Sequence, residues 1–122
     1  MNKLTAIAIP ILPGKTEQWK KFANDLKTRY NNEFKESRKS LGITERAFLQ
    51  KNPTGDLVIV TQEGENPVES FKKLGQKTDE FTKWFVSQVK EIHGIDISKP
   101  EALPPFPELV VESEPIEEHA MH

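Results

Sequence analysis

Apolar residues along this chain change their spacing several times, and each change marks a boundary between elements. From Leu4 to Leu12 they crowd together, with Ile7, Ile9 and Ile11 at odd positions and Leu4, Ala6 and Ala8 at even ones. That pattern predicts a strand buried on both sides and stopped by Pro13-Gly14. Pro10 brings no ladder donor, so it must sit at an edge or a bulge. Beyond Gly14 the spacing turns helical. Trp19, Phe22, Leu26, Tyr30, Phe34 and Leu41 recur among Lys, Glu, Asn and Arg, which predicts one long amphipathic helix from about Thr16 to Ser40, ended by Gly42.

Ile43 to Lys51 reads as a second strand and Leu57 to Gln62 as a third, joined by the turn Asn52-Pro53-Thr54-Gly55-Asp56 into a hairpin. Asn66 before Pro67 and Glu69 supplies a side-chain cap, a proline at the first helical position and a capping-box carboxylate. That helix is short and ends near Gly75. Another starts at Thr78-Asp79-Glu80, presents Phe81, Trp84, Phe85, Val89 and Ile92, and stops at His93-Gly94. Ile95 to Pro107 is a proline-rich loop, Leu109-Val110-Val111 a short last strand, and 113–122 an acidic tail.

The expected order is therefore β-α-β-β-α-β with the second helix split, a ferredoxin-like α+β domain over residues 1–112. Helices cover one face of such an antiparallel sheet, and the other face ordinarily alternates apolar with polar. Here it does not. Leu57 and Ile59 oppose Val58 and Val60, just as Ile7 and Ile9 oppose Ala6 and Ala8. Both faces of the first and third strands are apolar, so a second subunit is expected to cover the open one. The second strand carries charge on both faces, and the contact should grow polar toward it.

The strand ending in Pro13-Gly14-Lys15, the helix with Trp19 and Phe22, the hairpin at Pro53-Thr54-Gly55-Asp56 and the helix Phe81-Thr82-Lys83-Trp84-Phe85 resemble the dimeric α+β barrel superfamily. The resemblance spans about residues 3–112 and is greatest to branches without an assigned activity. It implies two ferredoxin-like subunits packed sheet against sheet, with a pocket between sheet and helices. It is also similar, more distantly, to antibiotic-biosynthesis and heme-degrading monooxygenases, which place a Trp and a His on this helix and an Asn on the first strand. Trp84 and His93 match that pattern, but the first strand holds no Asn.

Composition narrows the chemistry further. The 122 residues fit one domain, and the 30% of charged residues scatter to a net charge of −2. Lys20-Lys21 and Lys72-Lys73 read as solvated helix faces, and no basic stripe tracks phosphates, so neither nucleic acid nor membrane is an expected partner. The chain has no cysteine, which removes disulfides, thiolate catalysis and Cys-ligated metals. The first residues are too short an apolar run for a membrane span and read as a strand rather than a signal peptide, so a cytoplasmic location is expected. Gly14-Lys15-Thr16 opens a helix after a strand, but Ile9 stands where a phosphate-binding loop needs glycine, and the segment reads as a turn. His119 and His122 have ligand spacing without a third partner nearby, and no metal site is expected.

The candidate site residues are His93 as general acid or base and Trp84, Phe81, Arg46 and Phe48 as ligand contacts. Trp84 and His93 lie nine residues apart on one helix and point to roughly opposite sides, so they cannot share a tight contact unless the helix bends or a ligand bridges them. Trp84 as core and His93 as a dipole-favoured helix end is the plainer reading of the pair. Of Glu45 and Arg46, one must point inward, where a charge requires a partner, with Glu63 available to Arg46 across the hairpin. The function expected is that of a homodimer binding a small apolar or aromatic ligand without a cofactor, as a monooxygenase-like enzyme using His93 at neutral pH. A non-catalytic ligand-binding or structural dimer and a heme-binding protein are the alternatives.

Overall fold

The computed structural model describes residues 2–99, 101 and 103–114. It is an α+β structure whose elements run β1 (Lys3–Pro10), α1 (Thr16–Lys27), α2 (Asn31–Ser40), β2 (Ile43–Gln50), β3 (Leu57–Gly64), α3 (Pro67–Gln76) and α4 (Glu80–His93). The sheet has three strands in the order β1-β3-β2, with β3 antiparallel to both neighbours. β1 and β2 therefore run parallel, and the α1–α2 crossover between them packs on the sheet as such connections do. β1 is an edge strand with Pro10 as its last residue, where the missing donor does least harm.

Register decides which side chains meet. Thr5, Gln62 and Glu45 form one row across the sheet, Ile7, Val60 and Ala47 the next, and Ile9, Val58 and Leu49 a third. These three rows face the helices. The alternate rows, Ala6-Thr61-Arg46 and Ala8-Ile59-Phe48, lie on the opposite face, which no helix covers. Phe48 is 54% exposed there.

The stripe from Trp19 to Leu41 is helical as expected, but not as one helix. α1 ends at Lys27 and α2 begins at Asn31. At the break Thr28 leaves helical geometry, with φ −122° and ψ −88°. The Thr28 hydroxyl donates back to the Asn24 carbonyl, and the Asn31 side-chain amide donates to the Leu26 carbonyl. These short polar side chains replace the backbone ladder for one turn. The bend lets Tyr30 stack on Trp84, centroids 4.2 Å apart, while α2 swings over β2.

The remaining helix ends follow the sequence closely. The Asn66 side chain accepts from the Glu69 amide ahead of Pro67, and Asp79 accepts from both the amide and the hydroxyl of Thr82. Gly94 closes α4 at φ +74°, a left-handed position that suits glycine. Gly75 serves a different need: a Cβ there would collide with the Ile97 carbonyl, so α3 and the following loop approach each other through its missing side chain. At the Pro10–Leu57 end of the sheet, the Thr16 hydroxyl donates to Asp56, tying the start of α1 to the β2–β3 turn and holding that carboxyl below its usual range.

One expected strand does not form. Leu109, Val110 and Val111 belong to no strand, and they lie 53%, 82% and 81% exposed. Apolar content alone suggests a strand. Phe106, held edge-on against Phe71 at 5.6 Å, anchors the loop on the helix layer instead of leading it to the β1 edge.

Candidate functional site

Between the helix-facing rows of the sheet and the four helices lies a cavity of about 530 Å³. Its floor is Ile7, Ile9, Val58, Val60 and Ala47, and its roof comes from Trp19, Phe22 and Leu26 of α1, Phe34 of α2, Phe71 of α3 and Phe85 and Val89 of α4. The interior is mostly apolar with a few polar groups, the usual make-up of a small-molecule site, and the volume falls in the usual range. The floor is shortest at its β2 edge. Ala47 has no reach toward the helices, although Val60 beside it is larger.

Two polar features face this space. The first is an ion pair. Arg38 of α2 is only 4% exposed, and its Nε donates to Glu45 Oε1 at 2.7 Å while Nη2 reaches Oε2 at 3.4 Å. Its Nη1 donates to the Ser37 hydroxyl at 2.9 Å. The guanidinium lies over the rings of Phe34 and Phe85, 4.8 and 4.6 Å from their centroids. The Gln62 amide also donates to Glu45 Oε1, at 3.1 Å, which leaves Gln62 Oε1 buried without a partner among the described residues.

The second is His93, 8% exposed at the end of α4. Its Nδ1 lies 2.9 Å from the Pro10 carbonyl, and a carbonyl can only accept, so Nδ1 carries the proton. Nε2 is then the bare nitrogen, and it has no hydrogen-bond partner among the described residues. The Leu12 amide donates to the Ile92 carbonyl beside it, fixing the end of β1 to the end of α4. Burial pushes the ring below the ordinary histidine pKa, and the bond to Pro10 only partly offsets that. The ring is neutral at pH 7. Pro10 and the Glu45 row stand five residues apart on β1, about 17 Å along the strand, so the two features occupy opposite ends of the cavity.

A lowered histidine pKa has a defined sign. Below pH 6.5 the unfolded chain takes up a proton that folded His93 refuses, so stability falls as pH drops from about 6.5 toward the folded value. His93→Asn keeps a donor for Pro10 and removes the titration. Urea unfolding between pH 7.5 and 5 is expected to show a wild-type slope of at most about 1.4 kcal/mol per pH unit that exceeds the variant's. Parallel profiles for the two proteins would contradict the buried neutral ring.

The five candidate residues are not brought together. His93 alone lines the cavity. Phe81 and Trp84 of α4 pack with Phe22 of α1 and Tyr30 of the bend in an aromatic cluster. Arg46 and Phe48 lie on the uncovered sheet face, where Arg46 reaches Glu63 at 3.6 Å across the hairpin. The inward charge of the Glu45-Arg46 pair is Glu45. Its partner Arg38 was legible in principle: four residues after Phe34, it continues the apolar stripe of the helix.

No family model and no curated protein match this chain. Among the described residues, no group of three or more His, Cys, Asp or Glu is placed to hold a metal ion, and no helix is long and apolar enough to cross a membrane. His119 and His122 lie outside the described residues.

Proposed function

We propose that this protein is a ferredoxin-like subunit of a homodimeric α+β barrel that binds a small apolar or aromatic ligand in the cavity between sheet and helices. The observation that carries the reading is the bare Nε2 of a buried, neutral His93 on the wall of a mostly apolar cavity of about 530 Å³. The order β1-β3-β2 and the uncovered apolar face support the barrel. That face has Ala8, Ile59 and Phe48 in one row and, further along the strands, the Arg46–Glu63 pair between β2 and β3, so the expected contact is apolar around Ile59 and polar beyond it.

As an enzyme, the site would run proton transfer to His93. Nε2 takes a proton from an activated CH₂ flanked by aromatic rings, and the apolar walls exclude water from the carbanion. Dioxygen, the oxidant, adds to that carbon to give a hydroperoxide. Loss of water leaves a C=O on carbon, with the second oxygen departing in the water. The Pro10 carbonyl stabilises the imidazolium formed on the way. Anthrone oxidation by the wild type and by His93→Ala tests this: at least about a hundredfold loss of turnover is expected, and undiminished turnover would sink the role.

One observation favours a non-catalytic ligand-binding dimer instead. The Arg38–Glu45–Gln62 group is satisfied almost wholly within the protein, as a structural device would be. Anthrone binding with no turnover in either protein would select that reading.

A further inference from the structure

The charge on the cavity wall is opposite to that of the chain. Its lining holds four cations, Lys20, Lys27, Lys35 and Arg38, and one carboxylate, Glu45, in a protein of net charge −2. These cations are not equivalent. Arg38 is engaged: Glu45 and Ser37 take three of its five N–H donors, and Phe34 and Phe85 cover its faces. Lys20 leans on Glu17 at 3.2 Å. Lys27 and Lys35 form no ion pair among the described residues. Both are exposed and yet line the cavity, which places them at its mouth. They stand on either side of the bend at Thr28–Tyr30, Lys27 as the last residue of α1 and Lys35 within α2.

A concave, low-dielectric wall with one sign of uncompensated charge at its rim concentrates the opposite sign. Lysine stems lie along apolar surface while their ammonium groups stay wet, so a ligand could be apolar inside and ionic at the opening. The interior offers an anion little: at one end the neutral His93 presents a lone pair, and at the other Glu45 already neutralises Arg38.

We infer that the cavity takes an amphipathic anion, with its apolar body among the Ile, Val and Phe side chains and a carboxylate or sulfonate held at the mouth by Lys27 and Lys35. This rests on the reading of the cavity as a ligand site and adds the class of ligand. It also fixes orientation: the anionic group sits at the lysines, and the apolar body alone meets His93.

Two fluorescent probes with the same aromatic body separate the terms. 1-Anilinonaphthalene-8-sulfonate carries the anion, and N-phenyl-1-naphthylamine lacks it. In titrations of the full chain at low salt, the sulfonate is expected to bind about tenfold tighter. Lys27→Gln with Lys35→Gln should erase that preference while leaving the neutral probe within about twofold, and both lysines are exposed enough for the variant to fold. Ala47→Trp, which fills the floor of the cavity, should weaken both probes. Equal affinity for the two probes in the wild type, or a preference that survives the lysine substitutions, overturns the inference. Binding of neither probe, or binding indifferent to Ala47→Trp, overturns the ligand-site reading itself and the inference with it.

Discussion

Alanine in place of Arg38 is expected to cost about 3–5 kcal/mol of folding stability, because it strands the Glu45 carboxylate in a nearly dry site. The loss includes the packing of the guanidinium between Phe34 and Phe85. A domain of this size has about 5–15 kcal/mol in total, so the single variant should sit close to unfolding at 37 °C. The asymmetry is the informative part. Replacing Arg38 with Met and Glu45 with Leu together removes both charges and should recover most of the loss, since an ion pair in such a site does little better than apolar groups of similar volume. Gln62 then loses its acceptor, which limits the recovery by about 1–3 kcal/mol. Urea unfolding of the three proteins measures all of this. A cost below about 1 kcal/mol for Arg38→Ala would mean that water already screens the pair.

The second large effect concerns association. Light scattering at micromolar concentration is expected to return twice the chain mass for the wild type and the single-chain mass for Ile59→Glu. Ile59 is the middle of the row Ala8-Ile59-Phe48, so in a two-fold contact the substitution would bury a carboxylate from each copy at the centre of the interface. A weakening of at least about a hundredfold, or some 2.7 kcal/mol, follows from leaving such charges unpaired. A wild-type monomer at that concentration would remove the dimer from the account.

Local signals made much of this fold legible, and the places where they failed share one cause. β1, the hairpin turn and the caps at Asn66, Asp79 and Gly94 are set by residues within a few positions of each other, and they stand as the sequence implied. The bend at Thr28 does not show in the apolar stripe, because Leu26, Tyr30 and Phe34 keep helical spacing straight through it. What breaks the helix is a local competition of Thr28 and Asn31 side chains for backbone carbonyls, combined with a distant ring, Trp84, for Tyr30 to stack on. Leu109-Val110-Val111 reads as a strand for want of any local signal that a neighbour is missing. The site shows the same division. The need for one inward charge at Glu45-Arg46 follows from strand alternation, but only the helix crossing above β2 decides that Arg38 meets it. His93 could be named from its chemistry, whereas its bond to Pro10 spans 83 positions of sequence.

The bend has an energetic meaning as well as a geometric one. It divides the roof of the cavity into helices of 12 and 10 residues, lengths at which a helix in water has little order of its own. Their order is borrowed from packing, and beneath them lies an empty volume. A molecule that fills the space supplies packing partners to the very segments that most lack them. By mass action, occupancy at a hundred times Kd would raise the unfolding free energy by about 2.7 kcal/mol. The gain should be concentrated in slower amide exchange along α1 and α2, which makes the roof a reporter of whatever lies under it.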